Sequence, residues 1–195
     1  MRKTICSACV IVFMSLFVLA GCSKTVGSTP KATAAAFARA VAAGDADGAK
    51  KASTGGDPAA IDALAAMAHK MKKLHDAIVT KFGEAQVKTI QGSTYNMSEV
   101  LDQMDAAQET ITGDSATLIF NHAGHPMKLK KVDGNWKVDA SEVARPGMVP
   151  MFEKMGEAAS QTADEISAGK YATPKQAADA FTPRMMGSFL KARKP

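Results

Sequence analysis

The sequence predicts an α+β fold in which N-terminal helices pack on a curved, cone-like antiparallel sheet, followed by a C-terminal helical extension. Three observations carry this prediction. Apolar residues recur every three or four positions between residues 29 and 83, alternate with period two between 109 and 139, and return to helical spacing after 147. With 195 residues, 46% hydrophobic and 6% aromatic, the chain suits one domain with a true core. The composition excludes disorder, collagen-like repeats and a multi-span membrane protein.

The start of the chain has the three-part pattern of an export signal. Basic residues come first, an apolar run follows from Ile5 to Ala20, and Leu19-Ala20-Gly21-Cys22 ends it. The run is shorter than the roughly 20 residues of a spanning helix, so it predicts a signal peptide over residues 1–21. The closing motif resembles the lipobox of bacterial lipoproteins. The alternative is an ordinary secretory signal followed by a chance cysteine.

The lipobox resemblance implies cleavage between Gly21 and Cys22 and lipidation of Cys22, so that the chain is anchored to a membrane and not embedded in it. Cys22 is the only cysteine left once Cys6 and Cys9 leave with the leader, so it has no partner for an intramolecular disulfide. Ser23 at the next position resembles an outer-membrane sorting signal. We therefore expect a cell-envelope lipoprotein that is tethered through residues 22–28 and faces the periplasm from the outer membrane.

Helix-start signals predict three helices between residues 29 and 83. Thr29-Pro30 and Asp57-Pro58 each combine a capping side chain with a proline suited to the first helical position. A shorter helix is predicted from Asp45 to Ala52, and residues 53–56 are predicted as a break. The first and last of these helices are expected to end at glycines, Gly44 and Gly83.

The charge of the chain argues against nucleic acid as a partner and leaves a membrane contact open. The 24 basic and 19 acidic residues give a formal charge of +5, and loss of Arg2 and Lys3 with the leader lowers it to +3. The long third helix nevertheless carries a basic side, formed by His69, Lys70, Lys72, Lys73, His75 and Lys81. This face either contacts anionic headgroups near the tether or is an ordinary solvated face.

The middle of the chain predicts a sheet. Residues 84–95 are ambiguous, with Val87 and Ile90 compatible with a strand, and a short helix is predicted around residues 97–104. From Glu109 the period is two, and Asp133-Gly134-Asn135 predicts a hairpin turn. These strands predict an antiparallel meander with one buried and one solvated face.

Three segments of the body together resemble a known family. They are Thr29-Pro30-Lys31 with its helix through Asp45, Gly113–Thr117, and Leu129–Val138. The chain resembles the cone-shaped, nuclear-transport-factor-2-like domains found in many bacterial envelope lipoproteins of unknown function. The resemblance covers residues 29–140 and implies helices that wrap one curved antiparallel sheet. Some members of that superfamily are isomerases, dehydratases or hydrolases with acid–base residues inside the cone.

The segment 147–195 departs from the compact form of that family. Apolar spacing predicts a helix from Val149 to Gly169, and Thr173-Pro174 opens a last helix, which Pro183 either kinks or restarts. This extension is expected to plug the cone, to cover a dimer surface or to form another interface. A homodimer is therefore one of the open alternatives.

Few residues qualify for a functional site. His122, on the apolar side of its strand, and Tyr95 are the candidate pocket residues, and the simpler interpretation of His122 is a core histidine. No catalytic residue and no cofactor are predicted, because the sequence has no phosphate-binding glycine loop and no nucleophile elbow. His122, His125 and Met127 provide only part of a metal site, so no metal ligands are predicted.

Three functions are compatible with these patterns. The first is a membrane-anchored, non-enzymatic module that binds a protein partner or a small apolar ligand. The second is a cone-pocket enzyme of the isomerase or hydrolase type acting on a small apolar substrate, and the third is a metal handler. The lipobox and the lack of a catalytic motif favour the first.

Overall fold

The computed structural model describes residues 28–91, 97–120 and 126–192. Its helices are α1 (Pro30–Ala43), α2 (Ala46–Ala52), α3 (Pro58–Phe82), α4 (Val87–Gln91), α5 (Met97–Ala106), α6 (Val149–Ser167) and α7 (Pro174–Ala192). Its strands are β1 (Ser53–Thr54), β2 (Gln108–Thr112), β3 (Ser115–Ile119), β4 (Met127–Val132) and β5 (Asn135–Asp139). The α+β prediction is confirmed, and the curved sheet stays unclosed.

The predicted helix starts and stops are confirmed by their hydrogen bonds. The Thr29 hydroxyl accepts from the Ala32 N–H at 3.2 Å, and the Asp57 carboxylate accepts from the Ala59 N–H at 3.0 Å. Gly44 ends α1 in the left-handed conformation, with φ of 75°. Because these signals act within a few residues of the chain, the sequence alone places them well.

The sheet is mixed, whereas the sequence predicts an antiparallel one. Its strand order is β1-β5-β4-β3-β2, and β2 to β5 form the expected antiparallel meander. The predicted break at 53–56 is wrong at its first two residues, because Ser53 and Thr54 pair in parallel with Val138 and Asp139. The hairpin turn is confirmed, since Asp133 and Gly134 both have positive φ, as a type I′ turn requires.

The structure differs from the sequence prediction at α4 and decides between two alternatives at Pro183. Val87 and Ile90 lie in α4 and not in a strand, and both are buried where α4 packs between α3 and α7. Their spacing of three residues puts both side chains on the inner side of one helical turn. Pro183 does not restart the last helix, because α7 runs through it from Pro174 to Ala192.

The buried apolar residues form two clusters that share one helix. The sheet core combines α1, α2, α5 and the inner side of the sheet, and α3 adds Ala60 and Ile61 to it. The helical core combines α4, α6 and α7, and α3 adds Leu74 and Ile78 to it. None of the described residues in the helical core belongs to a strand. The C-terminal helices therefore extend the molecule along α3.

Close packing of α6 on α3 depends on a glycine. A Cβ atom at Gly156 would lie 2.9 Å from the Lys70 Cδ and 3.4 Å from the Met67 Cα. Glycine at this position lets the two helix backbones approach closely.

Among the described residues, no helix combines the length and the apolarity that crossing a bilayer requires.

Candidate binding cavity

The sequence-predicted site residues lie outside the part of the chain that the structure describes. These are the cleavage and lipidation residues Gly21 and Cys22 and the pocket candidates Tyr95 and His122. His125, considered with His122 as a metal ligand, lies outside it as well. The candidate site is therefore built from other residues.

A cavity of about 770 Å³ opens where β3, β4 and β5 meet the helices. Its apolar wall is formed by Phe37 of α1, Leu64 of α3, and Phe120, Met127 and Val138 at the ends of the strands. Its polar rim is formed by Lys128, Asp139, Ser141, Glu142 and Arg145. The volume lies within the range of about 300–1,000 Å³ that is typical of small-molecule sites. None of these described wall and rim residues comes from α6 or α7.

The rim is positioned by the segment that follows β5. The Ala140 N–H donates to the Thr54 carbonyl at 2.9 Å, and the Asp57 N–H donates to the Ala144 carbonyl at 2.8 Å. Between these two points the Ala144 N–H donates to the Ala140 carbonyl, which turns the segment back on itself. The chain from 140 to 144 is thereby held at both ends across the mouth of the cavity.

Asp139 is the most perturbed titratable group of the cavity. Its carboxylate accepts from the Lys130 Nζ at 2.7 Å, and from the Ser141 Oγ at 2.6 Å and the Ser141 N–H at 3.1 Å. These donors, Lys130 first, lower the pKa of Asp139 to about 2. A general acid or base works best with a pKa near the working pH. Asp139 is therefore a fixed negative charge at neutral pH and poorly suited to acid–base catalysis.

The second carboxylate of the rim is also paired with a lysine. Glu142 lies 2.8 Å from the Lys128 Nζ, and this contact raises the pKa of Lys128. Both side chains are exposed, so the pair adds little to stability. Its effect on the site is to neutralise the negative charge that Glu142 brings to the rim.

A second polar cluster joins α6 to α7 and was not indicated by the sequence. Arg184 approaches Glu165 with two nitrogens, at 2.7 and 3.1 Å, and Lys170 lies 2.7 Å from the same carboxylate. The Tyr171 hydroxyl also donates to Glu165. These donors, Arg184 first, lower the pKa of Glu165 to about 2. The members come from two helices and the connection between them, so no local spacing pattern marks them.

The basic side chains of α3 make contacts both within α3 and with α6. Lys72 pairs with Asp76 of the same helix at 2.6 Å, whereas Lys73 pairs with Asp164 of α6 at 2.7 Å. Lys70 packs against Gly156 of α6. This geometry favours the interpretation of a solvated and helix-packing face. Within the described residues, no three histidine, cysteine, aspartate or glutamate side chains are grouped as metal ligands.

Comparison with known proteins gives no match for this chain. No protein-family model matches the sequence, no curated protein is detectably similar, and no solved structure matches the fold. The features of the chain that bear on its function are the cavity and the motif that ends at Cys22.

Proposed function

We propose that this chain is a lipid-anchored protein of the bacterial cell envelope that binds a small apolar or amphipathic molecule in the cavity at the end of the sheet. The anchor is supported by Leu19-Ala20-Gly21-Cys22, which resembles a lipobox. The packing of α1 on the meander also agrees with what the resemblance to envelope lipoprotein domains implies.

The observation that carries the binding proposal is the cavity with its apolar wall and charged rim. Phe37 and Val138 are buried in the sheet core and also line the cavity. An apolar molecule that enters would exchange water contacts for contacts with these side chains, at a gain of about 25 cal/mol per Å² of apolar surface buried. A polar end of that molecule would lie at the charged rim and stay in contact with water.

The electrostatics of the rim favour binding over catalysis. Asp139 faces the cavity, but its hydrogen bonds keep it ionised far below neutral pH. An enzyme of the isomerase or hydrolase type would need a carboxylate or a histidine that exchanges protons near pH 7. Asp139 does not meet this requirement, so the enzyme remains the second candidate.

A dye-binding experiment tests the cavity. Protein that begins at Ser23 keeps every helix and strand described above, and N-phenyl-1-naphthylamine is an uncharged apolar dye that brightens away from water. We expect saturable binding to the wild type. Val143→Trp, at the mouth of the cavity, should weaken binding about tenfold, a loss of about 1.4 kcal/mol.

Val132→Trp is the matched control for that substitution. Val132 and Val143 are both exposed valines, at 37% and 47%, but Val132 lies on β4 away from the cavity. The control should bind the dye as the wild type does. Equal weakening by both substitutions, or no saturable binding by the wild type, would contradict the proposal.

Membrane fractionation tests the anchor. Cys22→Ser should release the protein from membranes or leave an uncleaved precursor, because the proposed acylation site is lost. Cys9→Ser, inside the leader, should leave both processing and fractionation unchanged. Normal processing together with membrane retention of Cys22→Ser would overturn the lipoprotein assignment.

A further inference from the structure

Among the described residues on the rim of the cavity, each carboxylate is paired with a lysine, and one cation is left over. The Glu142 carboxylate lies 2.8 Å from the Lys128 Nζ, and the Asp139 carboxylate lies 2.7 Å from the Lys130 Nζ. At such distances the opposite charges largely cancel as seen by a third group farther away. Each of these two rim carboxylates is therefore balanced by a lysine.

Arg145 is this cation. It lines the same mouth, and no described acidic side chain lies within the 4.0 Å of an ion pair with it. A guanidinium offers donors in a planar fork that fits a carboxylate. Among the described residues at the mouth of the cavity, Arg145 is therefore a positive charge without an acidic partner.

The backbone places this charge at a fixed position relative to the apolar wall. The carbonyl of the preceding residue, Ala144, accepts from the Asp57 N–H at 2.8 Å, where α3 begins. The Arg145 carbonyl accepts from the Met148 N–H at 2.9 Å, where the chain turns into α6. The position of Arg145 is thus tied to both helices that flank the segment, so its side chain need only reorient to meet a head group.

We propose that the cavity binds a fatty acid, with the hydrocarbon chain against Phe37, Leu64 and Val138 and the carboxylate on Arg145. The proposal rests on the function proposed above and names the class of its ligand. A single negative charge matches the single unbalanced arginine, and a carboxylate fits the guanidinium fork with two hydrogen bonds. An apolar chain with one charged end matches a cavity with an apolar wall and one charge at its mouth.

Ligands of equal chain length test the charge preference. Dodecanoate and dodecyltrimethylammonium, both below their micelle concentrations, would compete with N-phenyl-1-naphthylamine for the wild-type protein. We expect dodecanoate to displace the dye at about tenfold lower concentration than the cationic chain does. Dodecyl phosphate would be compared with dodecanoate in the same assay. Equal displacement by dodecanoate and the cation, or a preference for the cation or for dodecyl phosphate over dodecanoate, would overturn the fatty-acid assignment.

Arg145→Gln tests the residue, with Arg39→Gln as its matched control. Arg39 is an exposed arginine of α1 that does not line the cavity. Arg145→Gln should weaken dodecanoate binding about tenfold, and it should weaken dye binding much less because the dye is uncharged. Arg39→Gln should change neither, and Arg145→Lys should restore part of the dodecanoate affinity.

The two proposals fail in different ways. If Arg145→Gln binds dodecanoate as tightly as the wild type while both still bind the dye, the role of Arg145 is wrong and the binding cavity stands. If the wild type binds neither the dye nor dodecanoate, the cavity itself is not a binding site. Raising the salt concentration should weaken dodecanoate binding to the wild type more than to Arg145→Gln, since the exposed guanidinium is screened by ions.

Discussion

The sheet core and the helical core share α3 but are built differently. The sheet core joins helices to a sheet, and its edge leaves a cavity of about 770 Å³ with a charged rim. The helical core joins helices only, and the carboxylate of Glu165 links α6 to α7 through Arg184. The end of the sheet leaves a cavity with an apolar wall, whereas the buried side chains of the helical core pack against one another. The proposed binding site therefore belongs to the sheet core, and no described residue of the helical core lines it.

The largest expected loss of stability comes from Trp136→Ala in the sheet core. Trp136 is only 7% exposed, and the Lys131 Nζ lies 5.9 Å from its ring. Removing a buried aromatic side chain lowers the free energy of unfolding by about 3–5 kcal/mol. Urea denaturation followed by circular dichroism measures this, and Val132→Ala, on the outer side of β4, should lose much less. A loss below about 1 kcal/mol for Trp136→Ala would contradict the packing of this hairpin.

Leu74→Ala is the matching substitution in the helical core. Leu74 is fully buried on α3, so truncation should lower the free energy of unfolding by about 2–5 kcal/mol. Trp136 is the single tryptophan, so its fluorescence follows the sheet core, whereas circular dichroism follows all helices.

Because α3 belongs to both cores, we expect both signals of Leu74→Ala to shift together to lower urea concentration. A shift in circular dichroism with an unchanged fluorescence midpoint would show that the two cores unfold independently. In that case the sheet core and the helical core would be two separate folding units.

Acid should weaken the helical core through Glu165. Its pKa is about 2 in the folded protein against an ordinary 4.5, so the unfolded state binds more protons between these values. The stabilisation is therefore full above about pH 4.5 and is lost as the pH falls toward 2. We expect it to be about 2 kcal/mol, less than the full shift implies, because water around exposed Lys170 screens the cluster.

Glu165→Gln isolates this contribution. The variant should be less stable than the wild type at pH 6 and nearly equal to it at pH 2.5, as measured by urea denaturation. Glu153→Gln, an exposed carboxylate on the same helix, should follow the wild type at both values. A constant difference between Glu165→Gln and the wild type across this range would rule out ionisation of Glu165 as the cause.

The smallest effects are expected at the two threonine caps. Thr29 accepts from the Ala32 N–H at the start of α1, and Thr173 accepts from the Gln176 N–H at the start of α7. Gln176 also accepts from the Ala172 N–H at 2.8 Å, so the second cap has an additional bond. Thr29→Ala and Thr173→Ala should each cost about 1 kcal/mol in thermal or urea denaturation. Replacement by serine, which keeps the hydroxyl, should cost less in both regions.

The sequence predicts those parts of the fold that depend on neighbouring residues. The caps at Thr29 and Asp57 and the turn at Asp133-Gly134 are confirmed because each is made within four residues. The pairing of Ser53 with Val138 is missed because its partner lies 85 positions away. Val87 and Ile90 are misjudged because two apolar residues in so short a segment fit either a strand or a helix.

The candidate site is harder to predict because its residues come from distant parts of the sequence. Its wall comes from α1, α3 and the ends of the strands, and its rim comes from the segment after β5, so no motif marks it. In the sequence, Arg145 stands before Pro146 and Gly147 and indicates only a break in the chain. Its significance depends on which acidic side chains lie near it in space. Tyr95 and His122, which the sequence favours, remain predictions.

Because the two cores share α3, the length of α3 between them is constrained. An α-helix turns by about 100° per residue, so deletion of one residue between Ile61 and Met71 would rotate everything beyond it by that angle. Leu74 and Ile78 would then point away from α6 while Ile61 still faced the sheet. An insertion of about seven residues, close to two full turns, would keep both apolar faces nearly in phase. The rotational phase of α3 thus couples the packing of the sheet core to the packing of the helical core.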